Sequence, residues 1–174
     1  VLDPALGEGE LTIAVVSAIK AIHPDKKISV HGYDIDSLSV EKSRSRIEEV
    51  FPDVEVNFMV RDFLSIEPTE NRYDIVISNP PYIRTQILGE DVSKKLSEKF
   101  SLKGKIDIYY VFFIVALLNL KEGGIAGFIT SNKFLTINSG KNLREYLYRN
   151  AQILTISDFG DTRIFNAAVL PCVT

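Results

Sequence analysis

Two consecutive prolines stand between an asparagine and a tyrosine at the end of an apolar, β-branched run, in the order Ser78-Asn79-Pro80-Pro81-Tyr82. Proline has no main-chain N–H and a fixed φ, so the carbonyls of this segment are held in place and no nearby N–H competes with them. An amino group at this point meets acceptors only, the Asn79 side-chain oxygen and the Pro80 carbonyl. This pattern favours chemistry at an amino nitrogen.

An exocyclic amino nitrogen is a weak nucleophile because its lone pair is delocalised into the ring. Two acceptors on its hydrogens favour the tetrahedral nitrogen that attacks a methyl group, and they stabilise the positive charge that develops, without a general base. Tyr82 offers a flat surface for a planar substrate, and such stacking is worth about 1 to 3 kcal/mol per base. We therefore assign catalysis to Asn79, Pro80, Pro81 and Tyr82. A rigid proline turn without a catalytic role is the alternative interpretation.

A second pattern, Asp3-Pro4-Ala5-Leu6-Gly7-Glu8-Gly9, lies between a short predicted strand and a helix. Its two glycines permit a tight turn and let a ligand approach main-chain N–H groups. The turn lacks the third glycine of a dinucleotide motif and the Gly-Lys-Ser/Thr of a phosphate loop, which disfavours NAD and ATP. Its acidic side chains suit a cation, and S-adenosyl-L-methionine carries an amine and a sulfonium. We predict cofactor contacts from Asp3, Pro4, Ala5, Gly7 and Gly9, and from Asn79.

Acidic residues also follow the next two predicted strands. Asp34 ends the second strand, where an acid can accept both hydroxyls of a ribose, and Ile35 then packs against the adenine. After the third strand, Asp62 is predicted to accept from the adenine amino group while Phe63 covers the ring. Asp36 is better explained as the cap of the following helix. An acidic residue after a single strand is usually an ordinary turn residue. The prediction of a cofactor site depends on finding a suitable residue at the end of several strands in a row.

The elements that must position these residues alternate between apolar β-branched runs and segments of helical period. This alternation predicts an α/β fold with a mostly parallel sheet between helices. Strands are predicted at the start and at 28–33, 54–60, 73–78, 125–130, 153–158 and 167–173. Helices are predicted at 11–22, 37–50, 106–120 and 139–149. Residues 83–105 are polar with little periodicity, which is typical of a substrate-facing loop.

Composition narrows the class of protein. A chain of 174 residues with 45% hydrophobic content is long enough for one core, so we predict one domain over 1–174. No apolar run reaches the roughly 18 to 20 residues that cross a bilayer, and no signal peptide is recognisable, which favours a cytoplasmic protein without a membrane partner. One cysteine, Cys172, and two histidines disfavour a disulfide or a metal site.

The net charge of −3 gives no global attraction to nucleic acid, so a DNA contact requires a local patch. Five lysines in the polar loop can meet DNA phosphates, although a solvated loop explains them equally well. They are Lys94, Lys95, Lys99, Lys103 and Lys105. Three further basic residues occur at helical spacing and are interpreted as the solvated side of an amphipathic helix. They are Lys141, Arg144 and Arg149.

Together these motifs resemble those of the amino-group methyltransferases of the Asn-Pro-Pro-Tyr class, and most of all the N6-adenine DNA methyltransferases of restriction-modification systems. The segment 3–9 is similar to their cofactor loop, Asp34 to their ribose-binding acid, Asp62 with Phe63 to their adenine-binding pair, and 79–82 to their catalytic motif. The segments 105–113 and 122–135 are similar to the helix and fifth strand of that group.

The resemblance implies a Rossmann-like class I S-adenosylmethionine-dependent methyltransferase fold. Three αβα layers are expected, around a seven-stranded sheet of order 3-2-1-4-5-7-6 whose seventh strand is antiparallel. It also implies methyl transfer to an adenine flipped out of double-stranded DNA, with Phe165 in the segment Arg163-Ile-Phe-Asn helping to hold the base. A restriction endonuclease, fused or separate, is the implied partner in a prokaryotic cell.

The sequence begins at the end of a predicted strand and stops at an apolar run, so both of its ends look cut. We therefore expect a catalytic domain over 1–174 that is truncated at both ends and lacks the target-recognition domain. The helix that usually precedes the first motif is also missing. We therefore predict weak cofactor binding and little or no sequence-specific methylation by this fragment.

Other functions fit the same acceptors. A protein glutamine amide and a guanine amino group of ribosomal RNA are also planar, and a non-catalytic binding module could share the fold. The polar loop at 83–105 and the Phe165 segment resemble the DNA enzymes, and the complete 79–82 motif argues against loss of activity. Adenine in DNA is the preferred interpretation.

Overall fold

Helices and strands alternate along the chain, as the periodicity predicts. The strands are β1 (Leu2–Asp3), β2 (Ser29–Asp34), β3 (Glu55–Val60), β4 (Tyr73–Ser78), β5 (Leu120–Ser131), β6 (Ser157–Asp158) and β7 (Pro171–Val173). The helices are α1 (Glu10–Ile22), α2 (Ser37–Val50), α3 (Ile108–Asn119), α4 (Lys133–Thr136) and α5 (Lys141–Asn150), with 3-10 turns at Phe63–Ser65 and Asn138–Gly140. This computed structural model describes residues 1–67, 72–82, 94, 98–100, 107–160 and 171–174.

The seven strands form one sheet in the order β3-β2-β1-β4-β5-β7-β6. β1 pairs in parallel with β2 and β4, and β2 pairs in parallel with β3. β7 runs antiparallel to both β5 and β6. The strand order and the antiparallel seventh strand predicted from the resemblance are therefore confirmed.

Within the described residues, two strands differ from the sequence prediction by more than one residue, and positions 167–170 of the last predicted strand lie outside the described part of the chain. β5 begins at Leu120 rather than 125, because α3 runs directly into it and Lys121 pairs with Asp74 of β4 at 2.8 Å. β6 is limited to Ser157–Asp158 although its apolar pattern begins at 153. A strand requires a ladder partner as well as the pattern, and in the described residues only these two positions pair with β7.

The chain divides into two compact units, one of residues 1–79 and 119–126, the other of residues 80–118 and 127–174. In the first unit, α1 and α2 contribute apolar residues to a core with β2 and β3. Its buried members are Leu6, Val16, Ile28, Val30, Val40, Ile47, Val54 and Phe58. This core fixes the strands whose ends carry the predicted cofactor residues.

The core of the second unit is rich in aromatic residues. Phe113 of α3 packs on Phe128 of β5 with ring centroids 4.0 Å apart, and on Phe134 of α4 at 5.6 Å. Nearly every residue of α3 is buried, which explains why this helix is apolar on all sides instead of amphipathic. No helix in the described part of the chain is both long and apolar enough to cross a bilayer.

Candidate functional site

Four strands of the first unit end at a common edge of the sheet. Leu2 of β1 lies beside Val76 of β4, and Asp34 at the end of β2 lies beside Val60 at the end of β3. Because these strands are parallel, the residues that follow each of them meet at the carboxyl edge, where open α/β sheets bind their ligands. The turn after β1, Asp34, the residues after β3, and Asn79 after β4 all belong to this edge.

The turn between β1 and α1 depends on both of its glycines. Gly7 has φ 51° and Gly9 has φ 78°, in the left-handed region that glycine adopts without strain. A Cβ on Gly9 would also lie 2.8 Å from the Ser43 hydroxyl oxygen. Gly9 is the N-cap of α1 and has no side chain to cap it, so the first-turn N–H groups of this helix are not capped by a side chain.

Asp3 is enclosed beneath this turn. The side chain is fully buried, accepts a hydrogen bond from the Thr12 hydroxyl at 2.8 Å, and accepts another from the Ala5 N–H at 3.3 Å. Burial raises the pKa of Asp3 to about 6, and the negative charge of Asp34 adds to this rise. The hydrogen bonds from Thr12 and Ala5 act in the opposite direction and lower the pKa. The carboxylate thus organises the turn from inside, and Pro4 beside it is also buried. A direct contact of Asp3 with a cofactor stays a prediction.

Asp34 connects β2 to the same turn. One carboxylate oxygen accepts the Gly7 N–H at 2.8 Å and the other accepts the Asp36 N–H at 3.0 Å. Each carboxylate oxygen can accept a further hydrogen bond, so the half-buried Asp34 retains capacity for a diol. Ile35 follows it with 77% of its surface exposed, and its contact with an adenine stays a prediction.

Asp36 is the N-cap of α2, which confirms the capping prediction. Its side chain accepts from the N–H groups of Leu38 at 3.2 Å and Ser39 at 3.3 Å. The Ser39 hydroxyl donates to it at 2.7 Å. These hydrogen bonds, the hydroxyl first, lower the pKa of Asp36. Asp34 therefore bonds the turn after β1, whereas Asp36 caps α2.

Asp62 and Phe63 follow β3 as predicted, with different surroundings. Asp62 is exposed and accepts the Leu64 N–H at 2.9 Å, capping a short 3-10 turn. Phe63 is only 5% exposed and packs on Tyr33 with ring centroids 5.3 Å apart. The ring therefore has little free surface in this structure, and its proposed contact with adenine stays a prediction.

The proline motif leaves β4 directly after the fully buried Ser78. Asn79 and Pro81 are exposed, whereas Pro80 is buried. Asn79 belongs to the first unit and the prolines to the second. Because β4 ends at Ser78, Asn79 lies at the carboxyl edge of the sheet, as does the turn after β1.

Tyr82 is held within the second unit. Its hydroxyl donates to the Ile129 carbonyl of β5 at 3.1 Å, and its ring meets Tyr109 of α3 edge to face, with centroids 6.3 Å apart. Burial raises the pKa of Tyr82 to about 12, so this tyrosine is neutral at physiological pH. These two contacts hold the Tyr82 ring in place within the second unit.

Residues of α2 contribute to the turn although the sequence analysis did not select them. Ser43 donates to the Gly7 carbonyl, Arg46 donates to the Glu8 carbonyl, and Lys42 pairs with the Glu8 carboxylate. The available signal was Ser43 itself, a small polar residue inside the apolar stripe of an amphipathic helix. A buried hydroxyl at such a position requires a hydrogen-bond partner.

Some predicted contacts lie outside the described residues. These are Phe165 with Arg163, and the loop lysines Lys95, Lys103 and Lys105. Of the described lysines, Lys94 lies 4.0 Å from Glu98, and Lys99 lies 5.5 Å from the Phe100 ring centroid.

Lys141, Arg144 and Arg149 of α5 were predicted to form the solvated side of an amphipathic helix, and this prediction is wrong for Arg144. Arg144 is half-buried and donates to the carbonyls of Phe134 at 2.6 Å and Ile137 at 3.0 Å. These carbonyls lie at the carboxyl end of α4, where they have no partner within the helix. Arg144 therefore has a structural task, whereas Lys141 and Arg149 are exposed.

The sequence has recognisable relatives. Residues 17–165 match the family described as Eco57I restriction-modification methylase. The chain is 37% identical over 188 aligned residues to the type II methyltransferase M.BanIII of Aneurinibacillus aneurinilyticus, and the alignment covers 99% of this chain. It spans 32% of the length of that relative.

Solved structures share the architecture. A Listeria monocytogenes protein assigned as a class I S-adenosylmethionine-dependent methyltransferase superposes with a TM-score of 0.78 at 19% identity, covering 99% of this chain and 51% of that one. The type IIG restriction endonuclease BpuSI superposes with a TM-score of 0.75 at 21% identity, covering 99% of this chain and 21% of that one. At such identities the likeness establishes the fold, and the predicted Rossmann-like class I methyltransferase fold is confirmed.

Proposed function

The chain belongs to the Eco57I restriction-modification methylase family, and on this premise we propose that it is the catalytic domain of a DNA methyltransferase acting on N6 of adenine. The observation that carries the proposal is the segment Asn79-Pro80-Pro81-Tyr82, which leaves β4 at the edge that also carries the turn after β1. The residues proposed to bind the methyl donor and the acceptors for the substrate amino group then follow the adjacent strands β1 and β4.

S-Adenosyl-L-methionine is the methyl donor in this proposal, and it supplies an electrophilic methyl group on a sulfonium. The uncapped first turn of α1 suits its carboxylate, since helix N-termini bind anions. Asp34 accepts the ribose hydroxyls through the lone pairs that its two main-chain hydrogen bonds leave over. Ile35 and the Asp62–Phe63 pair then contact the adenine moiety. Asp3, Pro4 and Ala5 shape the turn from below, and Gly7 and Gly9 admit the ligand to its main chain.

In the methyl-transfer step, the Asn79 side-chain oxygen and the Pro80 carbonyl accept the two hydrogens of the substrate amino group. These acceptors draw the nitrogen toward the tetrahedral form and stabilise its developing positive charge. The nitrogen forms a bond to the methyl carbon as the carbon–sulfur bond breaks, and the surplus proton then passes to solvent. Pro80 and Pro81 lack N–H groups, so no main-chain donor at these two positions competes for the acceptors.

Adenine in double-stranded DNA is the proposed substrate, flipped into the site and held between aromatic side chains. Tyr82 stacks on the base, with its ring set by the contacts to Ile129 and Tyr109, and Phe165 helps to hold it, as the resemblance implies. The family premise supports DNA over a protein glutamine amide or a guanine of ribosomal RNA. It also supports a restriction endonuclease as partner, fused or separate, and a role in the cytoplasm of a prokaryotic cell. BpuSI, which shares the fold, is itself described as a type IIG restriction endonuclease.

The test is to express the full-length gene that encodes this catalytic domain in a host without adenine methylation and to measure modified nucleosides and amino acids by mass spectrometry. We expect N6-methyladenine in the DNA. Asn79→Ala should lower its amount by about 100-fold or more, the loss typical of removing a transition-state hydrogen-bond partner, while affinity for S-adenosyl-L-methionine stays within about tenfold. Asn57→Ala, which removes an asparagine amide that bonds Glu55 on β3, is the matched control and should leave methylation unchanged.

The other outcomes discriminate among the alternatives. Methylglutamine or methylguanine without N6-methyladenine would replace the proposed substrate. Full methylation by Asn79→Ala would remove the proposed role of that side chain. No product of any kind, together with cofactor binding, would favour a binding module of the same fold.

A further inference from the structure

One face of α2 holds the turn between β1 and α1 from behind. The Ser43 hydroxyl donates to the Gly7 carbonyl at 2.8 Å, and the Arg46 guanidinium donates to the Glu8 carbonyl at 2.7 Å. Lys42 pairs with the Glu8 carboxylate at 2.6 Å, and this ion pair lowers the pKa of Glu8. Positions four apart lie on the same side of a helix. Two consecutive peptide groups of the turn are thus fixed by neighbouring positions of one helix.

The contact with Ser43 is close as well as polar. Ser43 is fully buried, and the Gly7 carbonyl satisfies its hydroxyl, as a buried donor requires. The backbone at Gly9 approaches so near that an added Cβ would lie 2.8 Å from the hydroxyl oxygen and 3.2 Å from the serine Cβ. The turn therefore rests directly on α2.

This contact sets the direction of one main-chain donor. In a trans peptide the carbonyl and the following N–H point to opposite sides, and the described chain contains no cis peptide. Because the Gly7 carbonyl points to α2, the Glu8 N–H points away from α2. The Gly7 N–H already donates to Asp34, whereas the described residues provide no acceptor for the Glu8 N–H. The Glu8 N–H is therefore a donor directed away from α2, in a turn that lies at the carboxyl edge of the sheet.

We propose that Ser43 and Arg46 are positioning residues for the methyl donor. They hold the turn so that the Glu8 N–H is ready to donate to the carboxylate of S-adenosyl-L-methionine before the ligand arrives. This inference rests on the proposed function, because that function identifies the ligand. A turn that is already ordered loses less conformational freedom on binding, so the effect appears in affinity.

The first test compares two arginines of α2. Arg46→Ala removes the hydrogen bond to the turn, whereas Arg44→Ala removes hydrogen bonds of the same kind to the Phe58 and Val56 carbonyls of β3. The readout is the dissociation constant for S-adenosyl-L-methionine by titration calorimetry in the purified protein. Arg46→Ala should raise it about three- to tenfold, Arg46→Lys should recover most of the loss, and Arg44→Ala should change it less than about twofold. Equal effects of the two alanine variants would overturn the proposal.

The second test needs no ligand and separates this inference from the proposed function. Amide hydrogen exchange in the ligand-free protein should speed up at Gly7 and Gly9, whose N–H groups donate to Asp34 and to the Leu6 carbonyl, in Arg46→Ala, and likewise in Ser43→Ala if that variant folds, but not in Arg44→Ala. Unchanged exchange at these amides would overturn the positioning role even if cofactor binding is normal. Faster exchange in a protein that does not bind S-adenosyl-L-methionine would instead reject the ligand, and with it the proposed function.

Discussion

Replacing Asp3 by asparagine should remove a pH-dependent destabilisation that is built into the turn after β1. Burial raises the pKa of this carboxyl from 3.8 to about 6. The folded chain therefore holds the proton more tightly than the unfolded chain, and Asp3 favours folding when protonated. This contribution is fully present below pH 3.8 and is lost as the pH rises through about 6.

The magnitude follows from the size of the rise. Each pH unit between the folded and unfolded pKa corresponds to about 1.4 kcal/mol, so ionised Asp3 lowers the free energy of unfolding by about 3 kcal/mol above pH 7. Somewhat less than half of this change falls between pH 5 and pH 7. An asparagine keeps the shape, its oxygen can accept from the Ala5 N–H, and its amide can donate to the Thr12 hydroxyl, which also accepts hydrogen bonds.

The assay is urea unfolding of the wild-type chain and of Asp3→Asn at a series of pH values. The variant should gain about 1 kcal/mol relative to wild type between pH 5 and pH 7, because the titration of all other groups cancels in the difference. Asp36→Asn is the control, since the pKa of Asp36 is lowered and its contribution is lost only below pH 3.8. A difference between Asp3→Asn and wild type that stays flat, or falls, over this range would refute the buried, ionised carboxylate.

Three further predictions concern stability and the aromatic site. In urea unfolding, Gly9→Ala should destabilise the chain by about 2 kcal/mol or more and Gly7→Ala by about 1 kcal/mol. Both glycines have a positive φ, but of the two only Gly9 lacks space for a Cβ. Equal losses of stability would argue against the close approach of the turn to α2. Arg144→Ala should cost about 1.5 to 3 kcal/mol and Arg149→Ala less than about 0.5 kcal/mol, and the reverse order would contradict the capping of α4. Tyr82→Phe should cost about 1 kcal/mol through the lost hydroxyl yet keep methylation, whereas Tyr82→Ala should reduce methylation; inactivity of the phenylalanine variant would reject a stacking role.

The turn after β1 has two acidic supports with different environments. Asp3 is enclosed and carries a raised pKa of about 6, whereas Asp34 is half-buried and reaches the turn from the next strand. Asparagine at position 3 is therefore expected to stabilise the chain above pH 7. A natural aspartate at a position where asparagine is more stable is typical of a site selected for function, which is consistent with the proposed methyl-donor site.

Much of the fold and of the candidate site is determined by short-range properties of the sequence. Apolar β-branched runs that alternate with segments of helical period predict the parallel sheet, because strands buried on both faces and helices with one buried face have these patterns. Asp36 is recognisable as a cap because it needs only N–H groups two and three residues away. The two prolines remove donors at their own positions. Such features require no knowledge of what packs against them.

Other features were decided only by the tertiary structure. Asp34 meets the Gly7 N–H 27 residues away, and Ser43 meets the Gly7 carbonyl 36 residues away. The enclosure of Asp3, and with it the rise of its pKa, depends on the packing of α1 and neighbouring strands around it. Spacing along the chain cannot specify such partners, because their distance is set by how the helices and strands pack. The sequence alone determined which strand ends carry chemical groups, and the packing decided which of those groups are enclosed and hold the turn in place and which stay exposed at the carboxyl edge.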